Sequence, residues 1–230
     1  MKKFILNWCA AVIAGGGTFQ IHAALSWSTS SGVNISDYPA TGAASDIYIS
    51  SGDSQLSGIV NPYVASIASV TFTIVGNPTA WAGDYTLVLQ HVADDGLTSQ
   101  SQTLFSSLLG GAAANNGFDN VTLSSTGSGS ISSGASASST AAITGTYLLN
   151  FASTFQDVSP TGDWILFVTD TGPDFQGTLS GWSMSLDVVP EPVNVALGIF
   201  GGLLGLAVLR RKLKFGKQKA EMEKMTLSAL

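Results

Sequence analysis

The chain has 230 residues, and its nine Lys and Arg all lie at the two ends: Lys2 and Lys3, then Arg210, Arg211, Lys212 and four further lysines. Between Phe4 and Leu209 there is no basic side chain, while that stretch holds twelve Asp and a single Glu. Such a domain cannot neutralise phosphates, which excludes nucleic-acid binding, and it cannot form internal Lys or Arg salt bridges.

Lys2-Lys3 is a positive n-region, Phe4 to Gly17 an apolar h-region, and Ala23-Ala24 a small-residue cleavage site. This is the layout of a cleavable secretory signal over residues 1–24. Cys9, the only cysteine, falls inside it, so the exported domain carries no disulfide and no thiol chemistry.

Residues 25–188 read as β structure. Val70, Phe72 and Ile74 alternate with Thr71 and Thr73, and Tyr85, Leu87 and Leu89 with Thr86 and Val88. Trp164, Leu166 and Val168 alternate with Ile165 and Phe167, and Trp182, Met184, Leu186 and Val188 with Ser183, Ser185 and Asp187. Period two bounded by Gly, Asn and Asp turns predicts strands, and strands with one apolar face must stack as a sandwich. A faint repeat supports a jelly-roll-like all-β class. Gly83-Asp84-Tyr85 and Gly162-Asp163-Trp164 each open an aromatic-led strand that closes on an acidic turn, Asp94-Asp95-Gly96 or Asp170-Thr171-Gly172. Ser124 to Ser139 is nearly all Ser, Gly, Ala and Thr; it cannot build a core and reads as a flexible loop.

Asp without Glu favours turns, because the short carboxylate bonds back to nearby backbone; on loops it also suits calcium. Asp84, Asp94, Asp95, Asp170 and Asp174 are the candidate calcium ligands, and each also fits a plain turn-capping role. His91 is the only histidine outside the signal, so no second His or Cys completes a zinc set; a Ser-His-Asp triad could use only His91, and no Gly-x-Ser-x-Gly elbow accompanies it. The domain is therefore expected not to be an enzyme. The alternative is a cryptic hydrolase working through a pair of Asp carboxylates. Trp81, between Ala80 and Ala82, is the tryptophan best placed to stack on carbohydrate.

Val189-Pro190-Glu191-Pro192 follows the domain; two prolines about a carboxylate hold the backbone extended. Val193 to Leu209 is apolar, about 25 Å long as a helix, and Arg210-Arg211-Lys212 closes it. The basic end predicts a transmembrane helix with a cytoplasmic C-terminus, followed by a tail over 213–230.

Pro190-Glu191-Pro192, an apolar span and an Arg-rich end resemble the PEP-CTERM sorting signal of Gram-negative bacteria. The resemblance implies recognition and cleavage by an exosortase, a membrane-embedded cysteine protease. The protein would sit in the inner membrane before processing, and then pass to the cell surface or exopolysaccharide matrix. The motif residues are Val189, Pro190, Glu191, Pro192, Arg210 and Arg211. The family usually ends soon after its basic cluster, whereas this chain continues to Leu230.

A second resemblance lies in the domain. Gly162-Asp163-Trp164-Ile165-Leu166-Phe167-Val168-Thr169-Asp170, then Gly177-Thr178-Leu179-Ser180-Gly181-Trp182, are similar to the end of the P/Homo B domain of proprotein convertases. Ser69 to Ile74 and Ala82 to Leu87 resemble its earlier paired strands, while the Ser-rich middle matches little. The resemblance implies a jelly-roll sandwich, often with calcium. It also implies an alternative role: an accessory domain that stabilises or regulates a subtilisin-like secreted protease in trans. The favoured expectation is a non-catalytic surface or matrix protein whose partners are the membrane, an exosortase and extracellular polysaccharide.

Overall fold

The computed structural model describes residues 23–30, 32–36, 42–77, 81–149, 151, 153–173, 176–190, 198 and 200–211. The expected signal segment up to residue 22, the candidate ligand Asp174, the motif residues Glu191 and Pro192, and the tail over 213–230 lie outside them.

The domain is an all-β sandwich of ten strands. They are β1 (Ala23–Thr29), β2 (Val33–Ile35), β3 (Ala43–Ile49), β4 (Pro62–Asn77), β5 (Tyr85–Val92), β6 (Ser99–Ser106), β7 (Phe118–Ser124), β8 (Ile143–Leu148), β9 (Gly162–Asp170) and β10 (Gln176–Pro190). One sheet runs β1-β10-β4-β7-β8, with β2 also on β10; the other runs β3-β9-β5-β6. β10 pairs antiparallel with β1 and β2, β9 with β3 and β5, β5 with β6 and β4 with β7, whereas β7 and β8 are parallel.

The period-two strands bury the faces expected of them. Val70, Phe72 and Ile74 of β4 and Trp182, Met184, Leu186 and Val188 of β10 are buried on one side. Tyr85, Leu87 and Leu89 of β5 and Trp164, Leu166 and Val168 of β9 are buried on the other. They form one core, so the sandwich follows from two amphipathic sheets hiding their apolar faces from water. The Trp182 indole N–H donates to Ser45 Oγ across that core at 3.2 Å, which satisfies both polar atoms in a dry layer. The two copies of the sequence repeat are neighbours: β5 and β9 run antiparallel in register from Tyr85↔Asp170 to Val92↔Asp163.

In the Ser/Gly-rich stretch Ser124 ends β7 and Ile131–Ser133 form a 3-10 turn, and the segment is tied down. Ile131 is buried, Leu148 N–H donates to Gly129 O at 2.7 Å, and Ser136 N–H donates to the buried Asn115 Oδ1 at 2.6 Å. Composition undervalued a single anchoring Ile and the backbone bonds around it.

The chain divides into two units, the second running from Pro190 to Leu230. Within it residues 198 and 200–211 are helical, ending on exposed Arg210 and Arg211. Phe200, Leu204, Val208 and Leu209 are exposed on this helix. Among the described residues no helix is long and apolar enough to cross a membrane; 193–197 and 199, part of the expected span, lie outside them.

Candidate functional site

The candidate calcium ligands divide between the two ends of β5. Asp84 ends a short 3-10 turn, Ala82–Asp84, that leads into β5. Asp170 is the last residue of β9 and the register partner of Tyr85, so antiparallel pairing brings the two aspartates to the same end of the sheet. Both carboxylates lie against one residue. Gly172 N–H donates to the buried Asp170 Oδ1 at 3.0 Å, and a Cβ added at Gly172 would collide with the carboxylate of Asp84. Thr171 locks the turn, its N–H and Oγ1 both donating to Asp84 O, at 3.0 and 2.7 Å. Gly172 is thus a place where the chain must pass with no side chain, and the space goes to an acid.

Asp94 and Asp95 sit beyond the far end of β5, in the turn before β6. An eight-residue strand spans roughly 25 Å, so they cannot share a cation with Asp84. Asp95 works as a turn cap: its Oδ1 accepts from Leu97 N–H and Thr98 N–H at 2.8 and 2.9 Å, and its Oδ2 from Thr98 Oγ1 at 3.0 Å. Those donors, Thr98 N–H foremost, hold its carboxyl below the ordinary value. Asp94 Oδ1 accepts from the Tyr48 hydroxyl at 3.1 Å, and this bond and the Asp94 charge raise the phenol's pKa. Among the described residues no group of three His, Cys, Asp or Glu is placed to hold a metal ion.

Trp81 precedes the Ala82–Asp84 turn, bridges to Asn116, and is 38% exposed, whereas Trp27, Trp164 and Trp182 are buried. Val189 and Pro190, expected in an extended linker, are the last two residues of β10, and Val189 is fully buried. These two residues are extended, and the sheet takes in both of them.

His91 is a core residue. Its ring lies 4.4 Å from that of Trp164, and Nε2 is 3.0 Å from Thr161 O. A carbonyl only accepts, so Nε2 carries the proton in the neutral ring. Burial lowers the pKa of His91 below 6.5 against the opposing pull of the Thr161 carbonyl and the charges of Asp94 and Asp163. As pH falls below 6.5 the unfolded chain takes up a proton that the folded chain resists. This stabilisation is therefore complete above that value and declines through the acid side until His91 itself titrates. Thermal melts from pH 7.5 to about 5 are expected to show a falling Tm, and the fall is expected to shrink in His91→Phe. A pH dependence unchanged in His91→Phe would assign it to other groups.

No protein-family model matches the chain, and no curated protein matches it in sequence. Sequence reasoning did not single out a polar groove on the outer face of the β1-β10-β4-β7 layer, lined by Ser28, Thr71, Thr73, Asn120, Ser180 and Ser183. The available signal was the break in alternation between Leu179 and Trp182, three positions apart yet both buried.

Proposed function

We propose that this chain is an exported, non-catalytic surface or matrix protein whose sandwich is delivered by its C-terminal segment. The observation that carries the reading is the chain order: a sandwich closing at Pro190, then an apolar helix ending on Arg210-Arg211. Exposed Phe200, Leu204 and Leu209 are costly in water and suit apolar surroundings. With the PEP-CTERM resemblance, this supports a Gram-negative inner-membrane intermediate with the C-terminus cytoplasmic, processed by an exosortase. Because Val189 is buried in β10, the enzyme's grip would begin at Pro190.

The strand order also supports the jelly-roll reading. With β2 and β8 set aside, the remaining eight strands in chain order give sheets 1-8-3-6 and 2-7-4-5, the doubled Greek-key pattern. That order favours the P-domain likeness and with it the accessory role beside a secreted protease as the second reading. Calcium belongs to the same proposal, with Asp84 and Asp170 as its ligands.

The test follows the full chain in its host. The native sequence is expected at the cell surface in a shortened form, and the Pro190→Ala, Glu191→Ala, Pro192→Ala triple variant at full length in the inner membrane. Retention of the native chain in the cytosol would sink the export reading. Surface arrival without shortening would sink the processing step alone, and co-purification with a secreted protease would favour the accessory role.

A further inference from the structure

The outer face of the larger sheet carries a groove of about 320 Å³ across β1, β10, β4 and β7. Two irregularities in neighbouring strands converge to shape it. In β10 the pairing with β1 stops at Trp182 and the pairing with β2 begins at Leu179, leaving Ser180 and Gly181 between them. In β7 the exposed pair Asp119 and Asn120 interrupts the buried series Phe118, Val121 and Leu123, with register shifts against both β4 and β8. Asn120 is held in the left-handed region, at φ 50°. Both irregularities are pinned to one residue of β4: Asn120 N–H donates to Thr73 Oγ1 at 3.0 Å, and Ser180 Oγ to Thr73 O at 3.3 Å. Bulges bend a sheet locally and re-aim side chains, and they gather beside binding sites.

We propose that this groove binds a neutral polysaccharide. Its polar lining is hydroxyls and one amide, with no ionisable side chain. Ser and Thr hydroxyls and the Asn amide both donate and accept, which matches the hydroxyls of a sugar ring. The side chains of Ser28, Ser183 and Asn120 make no hydrogen bond to another described residue, so they remain available to a ligand. A polyanion is disfavoured because the chain from Phe4 to Leu209 has Asp but no Lys or Arg. A cation would find no carboxylate in the lining, and an apolar segment would find Phe72 and Trp182 buried beneath the floor. This site is separate from Trp81 and from the Asp84–Asp170 turn. It deepens the surface reading by giving the sandwich a face that holds matrix glycan.

The test is affinity electrophoresis of the full chain in mild detergent, through gels containing dextran, a soluble β-1,3-glucan or alginate. Retardation by a neutral glycan, undiminished by salt, is expected. The Asn120→Gly, Ser183→Ala double variant is expected to weaken it roughly tenfold, the loss of about one net hydrogen bond or more. Gly tolerates the left-handed backbone, so an unchanged Tm is expected and separates lost contact from lost fold. No retardation in either neutral gel, equal retardation of the variant, or salt-sensitive binding to alginate alone would each overturn the proposal. Self-association broken by Ser183→Tyr would give the face to a second copy and overturn it too. Failure of the groove with normal surface delivery leaves the surface reading standing; binding by a chain that stays in the cytosol does the reverse.

Discussion

Trp164→Ala is expected to cost the sandwich about 3–5 kcal/mol, the range for deleting a buried aromatic side chain. The residue is fully buried on the inner strand β9 of the smaller sheet, between register partners Ile47 on β3 and His91 on β5. Its ring lies 4.4 Å from His91 and 5.4 Å from Phe155, and its indole N–H donates to Pro160 O at 3.0 Å. Truncation leaves a cavity and removes that donor together, and neighbours held in paired strands can close only part of the gap. For a domain of this size the loss corresponds to a drop in Tm of roughly 10 °C. Trp164→Phe keeps most of the ring but strips the donor from Pro160 O, so a smaller loss of about 1–3 kcal/mol is expected. Urea or thermal unfolding of both variants decides the matter. A loss below about 1 kcal/mol in Trp164→Ala would mean that the ring is not the keystone its burial makes it.

The inward direction of that side chain is legible in the sequence alone. Trp164, Leu166 and Val168 alternate with more polar or half-exposed neighbours, and side chains on a strand alternate in the same way, so their inward direction was legible. The same holds for Tyr85, Leu87 and Leu89, and for β10 from Trp182 onward. The groove was not legible, because it exists where the alternation slips. Ser180-Gly181 and Asp119-Asn120 look like ordinary turn residues in a one-dimensional pattern, and only the pairing of β10 and β7 with β4 brings them to Thr73. The Asp set illustrates the complementary limit. Five turn aspartates could be named from composition, but the division of the four described ones, Asp84 and Asp170 from Asp94 and Asp95, between opposite ends of β5 depends on which strands pair. Asp84 and Asp170 meet because β5 and β9 are antiparallel neighbours, a contact across 86 positions of sequence (170 − 84).

Calcium at about a hundred times its dissociation constant is expected to stabilise the full chain by about 2.7 kcal/mol, through the pair at that meeting point. Two acids gather about one glycine in a domain that has no Lys or Arg. A hard cation takes oxygen ligands of this kind, and only the folded chain brings the two acids together. The rise in Tm is therefore expected to vanish in Asp84→Asn and in Asp170→Asn, which keep the size of each side chain. It is expected to survive in Asp95→Asn, whose carboxylate is already engaged by Leu97 and Thr98 beyond the far end of β5. Gly172→Ala supplies the steric control, since its new Cβ would take the place of the Asp84 carboxylate and should abolish the calcium response while weakening the fold. A shift that persists in both Asp84→Asn and Asp170→Asn would move the cation elsewhere. The absence of any shift at millimolar calcium would leave the two acids as turn formers held in place by Gly172 N–H and the Thr171 bonds alone.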